Sequence, residues 1–264
     1  MKKTILITGA SSGIGYELAM IAARNGHTVI LAARRREKLQ SLSDHLQTEY
    51  NATVFCIPID LSEQGAPARL YQFVKTHNLH VDYLVNNAGF GDMHDFRDAE
   101  AEKLDEMIRL HVQSLTIITK LFLADMLRIG YGRIMHVAST AAFQPGPGMA
   151  VYYATKAYVL SFSQALSQEL KGSGVTVTAL CPGPTLSEFQ EVAGMGKSPL
   201  FRIMPVPDSK KVAEYGYQAM IKGKRVAIEG LLNRVLANSV KFFPRAIVLP
   251  LIHTLQKSRQ SKSH

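Results

Sequence analysis

Eight residues near the start of the chain constrain its fold more than any other feature. An apolar, β-branched run, Thr4 to Thr8, ends in Thr8-Gly9-Ala10-Ser11-Ser12-Gly13-Ile14-Gly15, and a helical pattern opens directly from that turn. Glycines in such a turn let the backbone approach a pyrophosphate, and the helix N-terminus favours its negative charge. No Gly-Lys-Ser/Thr follows, which disfavours the ATP or GTP chemistry of a Walker loop. An ordinary strand-to-helix turn is the plain alternative.

The same alternation continues along the chain. Thr4 to Thr8, Thr28 to Ala32, Thr53 to Ile59, Tyr83 to Asn86, Arg133 to Ala138 and Val175 to Leu180 read as buried strands. Helical stretches separate them: Ile14 to Asn25, Arg36 to Tyr50, Pro67 to His77, Lys103 to Arg128 and Tyr153 to Lys171. Strict βαβα order predicts an α/β fold, a parallel sheet with helices on both faces. A helix from Asp208 to Ile221 and a short strand near Val226 close the pattern. With 47% of its 264 residues apolar, the chain can bury one full core. One domain is therefore expected over residues 1–230, including a Gly-, Pro- and Met-containing loop at about 183–207 that is long enough to act as a lid, followed by an apolar, basic extension over 231–264.

Composition narrows the partners. Cys56 and Cys181 lie far apart in strand-like runs, so neither a metal knuckle nor a disulfide framework is visible, and a reducing cytoplasmic compartment is expected. The start, Met1-Lys2-Lys3 and an apolar run, superficially resembles a signal peptide, but the run stops at Gly9 and reads as the first strand. No unbroken apolar stretch reaches membrane-spanning length; the closest, Ala246 to Ile252, is broken by Pro250. The formal charge of +9 is concentrated late: from Lys222 onward nine Lys or Arg face the single acid Glu229. No nucleic-acid-binding signature accompanies that charge, and no metal-ligand cluster is seen.

The motifs, taken in order, resemble those of the classical short-chain dehydrogenase/reductase family. The glycine-rich turn matches its cofactor signature, Asn86-Asn87-Ala88-Gly89 its next motif, and Ser139, Tyr152-x-x-x-Lys156 and Pro182-Gly183 the following three, across residues 4 to 185. That resemblance implies a Rossmann-like doubly wound sheet in three αβα layers, hydride transfer with a nicotinamide cofactor, and a homo-oligomer, dimer or tetramer, joined through the long helices that begin near Lys103 and Tyr153. It also implies that Gly9, Ser11, Ser12, Gly13, Ile14 and Gly15 cradle the cofactor, that Asp60 and Leu61 flank its adenine, that Asn87, Ala88 and Gly89 support it, and that Pro182, Gly183 and Thr185 meet the nicotinamide side. Asp60 has a second reading as a helix cap.

An acid at the end of the second strand commonly binds the ribose of NAD, whereas arginine accommodates the 2′-phosphate of NADP. This strand ends Ala32-Ala33-Arg34-Arg35. Arg34 is expected to present a bidentate fork to that phosphate and Arg35 to add charge, so NADP(H) is the expected cofactor. For Arg35, the start of a solvated helix is an equal alternative.

Four residues bring Tyr152 and Lys156 onto one helical face. An ammonium near a phenol stabilises phenolate and eases proton exchange with an alcohol or carbonyl oxygen. Tyr152 is thus the expected general acid/base and Lys156 its tuning charge; by resemblance Lys156 also holds the nicotinamide ribose, and Ser139 polarises the substrate oxygen. Tyr153 is a rival within a turn of Lys156. Where most members of the family carry a catalytic asparagine, this chain has His111, read either as a water-holding proton relay or as a satisfied core residue. His94 lines the substrate entrance in one reading and is an exposed loop residue in the other.

In the extension, Leu231, Leu232, Val235, Leu236, Val240, Phe242 and Phe243 interleave with Arg234, Lys241 and Arg245. Such a segment can lie on an anionic membrane surface, cap an apolar pocket, pack on a second subunit or pack on its own domain. The expected function is reduction or oxidation of an apolar carbonyl/alcohol pair; the alternative is a cofactor-binding sensor without turnover.

Overall fold

A computed structural model describes residues 2–185 and 208–260. Seven strands form one parallel sheet: β1 Thr4–Thr8, β2 Thr28–Ala33, β3 Val54–Pro58, β4 Tyr83–Asn86, β5 Gly132–Val137, β6 Val175–Leu180 and β7 Val226–Ala227. Their spatial order is β3-β2-β1-β4-β5-β6-β7, so the direction of winding reverses between β1 and β4. Doubly wound sheets open their ligand crevice at the carboxyl ends of the strands at that reversal, and the glycine-rich turn leaves β1 there.

Strand pleat sorts the core into two layers. Ile5, Ile7, Val29, Leu31, Val85 and Met135 face one layer, while Leu6, Ile30, Leu84, Ile134 and Val177 face the other. Because both faces are buried, the central strands β1 and β2 are apolar from Ile5 to Ile7 and from Val29 to Ala33, whereas β6 intersperses Thr176 and Thr178. The helices α1 Gly13–Arg24 and α2 Arg36–Tyr50 cover the first layer, joined by α7 Ser209–Ile221. The second is covered by α3 Ala66–Thr76, α5 Leu115–Ile129 and α6 Ala150–Glu169.

The long helix expected from Lys103 to Arg128 is not uniformly α-helical. It begins as α4, Ala101–Ile108, passes through a π-helical turn, Arg109–Ser114, and continues as α5. Among the described residues this is the one helix long and apolar enough to cross a membrane. Here it is a core helix, with Met107, Ile118, Phe122 and Met126 fully buried. The extension folds into α8 Leu231–Ser239, a 3-10 turn Val240–Phe242 and α9 Arg245–Gln260. Pro244 separates the two helices, as the ring's lost N–H and fixed φ require, whereas Pro250 is accommodated inside α9. Most of the proposed lid, residues 186–207, lies outside the described residues.

Candidate active site

The glycine-rich turn is locked to both neighbouring strands. Gly9 N–H donates to the Ala32 carbonyl (2.8 Å). Asn87 Nδ2 donates to the carbonyls of Thr8 (3.0 Å) and Gly9 (3.1 Å), and the Thr8 hydroxyl accepts from the N–H groups of Asn87 (3.0 Å) and Ala88 (3.1 Å). A Cβ on Gly15 would lie 2.3 Å from the Gly9 carbonyl oxygen, so only glycine lets α1 start this close to the turn. No side chain caps α1, and its first turn has no acid, which leaves its N-terminal N–H groups directed at the crevice.

The two arginines at the end of β2 diverge. Arg35 spans the mouth of the turn, donating from Nη2 to the hydroxyls of Ser11 and Ser12, each at 3.0 Å. Arg34 turns to Glu106 (2.9 Å) and Asp60 (3.6 Å). Arg34 is thus paired with two carboxylates, while Arg35 spans the turn. Asp60 accepts from the Ser62 N–H (2.9 Å) and hydroxyl (2.6 Å), closing a local side-chain turn; it caps no helix, because α3 starts at Ala66 with Gly65 at its N-cap. Burial pushes the Asp60 carboxyl up, but the Ser62 bonds and Arg34 outweigh it and hold it below its usual range. Leu61 is buried, and its carbonyl accepts from the Ser114 hydroxyl.

Beyond the crevice, Ser139, Tyr152 and Lys156 converge. Ser139 follows β5, its Oγ accepts from the Ala141 N–H (3.1 Å), and it lies near enough to the Tyr152 phenol to favour the phenolate. Tyr152 lies in the first turn of α6, one turn before Lys156, whose Nζ sits 5.7 Å from the phenol ring centre and donates to the Val137 carbonyl (2.9 Å). Burial raises the phenol above its usual value, against a smaller lowering by Ser139. The expected depression of Tyr152 by Lys156 is not seen here, because the ammonium is directed at Val137 and desolvation dominates. Tyr153 instead packs against Gly146, where a Cβ would meet its ring at 2.4 Å.

Burial also lowers Lys156, to about 8. A lysine whose folded pKa lies below its unfolded value opposes folding at pH below both values, and the opposition fades as pH rises from about 8 toward the ordinary lysine value of 10.5. Lys156→Met is accordingly expected to raise the unfolding free energy of the cofactor-free protein near pH 7 by about 1–3 kcal/mol, after allowing for the lost Val137 bond. Urea titrations from pH 7 to pH 10 check this: the wild type should gain on the variant with rising pH.

His111 lies in the π-helical turn, fully enclosed. Its Nε2 accepts from the Phe90 N–H (3.1 Å), so the ring proton sits on Nδ1 and is given to the Thr155 hydroxyl (3.0 Å), which itself donates to the Tyr152 carbonyl (2.8 Å). Both ring nitrogens are thereby occupied, and burial with the nearby Lys156 holds the imidazole neutral, well below its usual pKa. This geometry matches the satisfied-core reading and leaves no ring nitrogen for a relay water. Gly89 is wedged between these groups: a Cβ would meet His111 Nε2 at 2.8 Å and Lys156 Nζ at 3.5 Å.

Pro182 accepts from the Thr140 N–H (2.8 Å), and Gly183 faces Asn233 of α8. Thr185 donates to the Gly183 carbonyl (3.0 Å). Beside Tyr152 lies a hollow with room for only about one water molecule, lined by His94, Phe96, Leu104, Met107, Met149 and Val151. His94 is an exposed loop residue at the edge of this hollow, paired with the buried Asp92 (3.0 Å), which also binds Lys103 (2.7 Å). Three contributors escape a reading of the sequence. Thr8 stands inside the first motif and was available as a signal, whereas Thr155 and Glu106 have no pattern that marks them. Among the described residues no group of three or more His, Cys, Asp or Glu converges as a metal site would.

A family model described as short chain dehydrogenase matches residues 3–197. The uncharacterized oxidoreductase YvaG of Bacillus subtilis (strain 168) is 34% identical over 190 residues, 72% of this chain and 70% of that protein. The NADP-dependent 3-hydroxy acid dehydrogenase YdfG of Escherichia coli (strain K12) is 33% identical over 180 residues, 68% of this chain and 71% of that protein. A short-chain dehydrogenase from Sphingobium yanoikuyae, solved in complex with NADPH, superposes with a TM-score of 0.82 at 29% identity, covering 93% of this chain and 95% of that one.

Proposed function

The chain belongs to the short-chain dehydrogenase family, and from that premise we propose that this oxidoreductase interconverts a carbonyl and an alcohol with NADP(H), using Tyr152, Ser139 and Lys156. The observation that carries the reading is the contact of Ser139 with the buried Tyr152 phenol beside Lys156, at the carboxyl edge of the sheet.

The residues fit a dinucleotide. The turn is too tight for any side chain at Gly15, the start of α1 is uncapped, and no acid ends β2 to repel a 2′-phosphate. Gly9, Ser11 to Gly15 and Asn87 to Gly89 would hold its phosphates and ribose, Arg35 with Ser11 and Ser12 the 2′-phosphate, Asp60 and Leu61 the adenine side, and Pro182, Gly183, Thr185 and Lys156 the nicotinamide side. Bound there, the nicotinamide supplies or accepts the hydride at the carbonyl carbon. Tyr152, kept protonated by burial, donates its phenolic proton to the carbonyl oxygen in reduction and recovers one in oxidation. Ser139 orients that oxygen. His111 acts at one remove, fixing the Gly89–Phe90 backbone against Thr155 and the first turn of α6. Exposed Ile108, Ile117 and Tyr158 on α4 to α6 support assembly of copies through those helices.

Titration with NADPH and NADH, followed by a carbonyl panel, tests the reading. Tight NADPH binding without turnover on any carbonyl would favour a sensor, and failure to bind either nucleotide would overturn the proposal. Arg35→Ala is expected to weaken NADPH about ten- to a hundredfold and leave NADH within about twofold, because a charged hydrogen bond to phosphate is lost. Arg34→Ala should have the smaller effect; the reverse ranking would return the phosphate to Arg34.

A further inference from the structure

Helix α8 is amphipathic in an inverted sense. At about 100° per residue, Leu231, Leu232, Val235 and Leu236 share an arc of about 140°. These four side chains are between 48% and 75% exposed. The opposite side of the helix faces the domain: Asn233 lies against Gly183, and Ala237 is buried with Ala138, Ala142 and Ile228. The apolar face of α8 thus points away from the protein that carries it. The segment that follows continues the surface, with Phe242, Phe243 and Ile247 each more than half exposed.

Charge accompanies the apolar face. Residues 222–264 carry nine Lys or Arg and one acid, Glu229, which Lys211 already pairs at 3.4 Å. Residues 1–221 hold the remaining 21 basic and 20 acidic side chains, so nearly all of the net charge resides in this segment. Arg234 borders the apolar arc on α8, and Arg245 opens α9; both are exposed.

We propose that α8 and the start of α9 form a docking surface for an anionic lipid bilayer, with Leu231, Leu232, Val235, Leu236, Phe242 and Phe243 entering the interface and the basic residues meeting the headgroups. An apolar arc bordered by Lys and Arg is the pattern of helices that lie in an interface plane. A second copy of the chain is the less favourable occupant: a twofold contact sets a patch against itself, bringing two strongly basic segments together. Docking here would hold the Gly183 side of the crevice close to the membrane, since Asn233 sits on Gly183.

Co-sedimentation of the full chain with vesicles tests this without reference to turnover. Binding to phosphatidylcholine–phosphatidylserine vesicles but not to phosphatidylcholine alone is expected, falling roughly tenfold or more at high salt. The double variant Leu232→Glu, Val235→Glu should show a similar loss while keeping the wild-type thermal midpoint and nucleotide affinity. Equal binding to both vesicle types, absence of binding at low salt, or unchanged binding by a folded double variant would overturn the proposal. A wild type that does not sediment but forms dimers that the double variant dissociates would assign the face to a second copy and overturn it equally. Should the double variant not fold, the dependence of the wild type on phosphatidylserine and salt decides.

Discussion

Tyr152→Phe is expected to lower turnover about a thousandfold or more while changing nucleotide affinity by less than about twofold. The variant removes one oxygen and keeps the ring, which packs with Phe90, Met93, Met107, Ala141 and Met149, so the fold has no reason to change. What disappears is the phenolic proton beside Ser139. Single-turnover reduction of a carbonyl with NADPH measures the chemical step directly. Tyr153→Phe is the control and should keep most activity, because Tyr153 lies against Gly146. Survival of more than about a tenth of the rate in Tyr152→Phe would move the acid/base role elsewhere, since general acid–base catalysis contributes at least a hundredfold.

Gly15→Ala should abolish detectable nucleotide binding and destabilise the protein by about 2–4 kcal/mol, lowering the midpoint of thermal unfolding by roughly 5–15 °C. The added methyl would meet the Gly9 oxygen at 2.3 Å and Asn87 Nδ2 at 2.5 Å, and neither can retreat without releasing the bonds that tie the turn to β4. Gly26→Ala separates this clash from backbone strain alone. Gly26 has φ of +74° but nothing within 4 Å of an added Cβ, so its variant should lose about 1 kcal/mol and bind nucleotide normally. Comparable losses in the two variants would mean that the turn yields to the methyl group.

The order of elements was legible because β-branched runs and helical periodicity alternate without interruption, and both faces of the sheet needed apolar strands. The central motifs were legible on different grounds: the glycine turn because the backbone leaves no room for a side chain, the Tyr152–Lys156 pair because positions four apart share a helical face, and Asn87 and Ser139 through the resemblance to the family. What escaped the sequence were directions. Arg34 and Arg35 are adjacent, and only the fold decides that one faces Glu106 and the other Ser11. The distance from Lys156 to Tyr152 follows from their spacing, but the lysine's choice of the Val137 carbonyl does not. The π-helical turn was hidden for a related reason: packing decides where a helix takes up an extra residue, and here that widened turn carries His111 inward. For α8, sequence gave an apolar arc but no means of knowing that the arc faces outward.

A π-helical turn is an α-helix holding one residue more than its hydrogen-bond ladder requires. Deleting a single residue between Arg109 and Ser114 would let the ladder close as plain α-helix, with Met107 on one side and Ile118 on the other keeping the faces they now bury. What would change is the widened turn itself, and the imidazole it carries inward would lose either Phe90 or Thr155. In an uninterrupted α-helix the same deletion would turn one flank by about 100° against the other, whereas here the damage would stay with the contacts that hold Phe90 against the first turn of α6. The wide turn is therefore a local insert that serves the imidazole, and the long helix on either side does not depend on it.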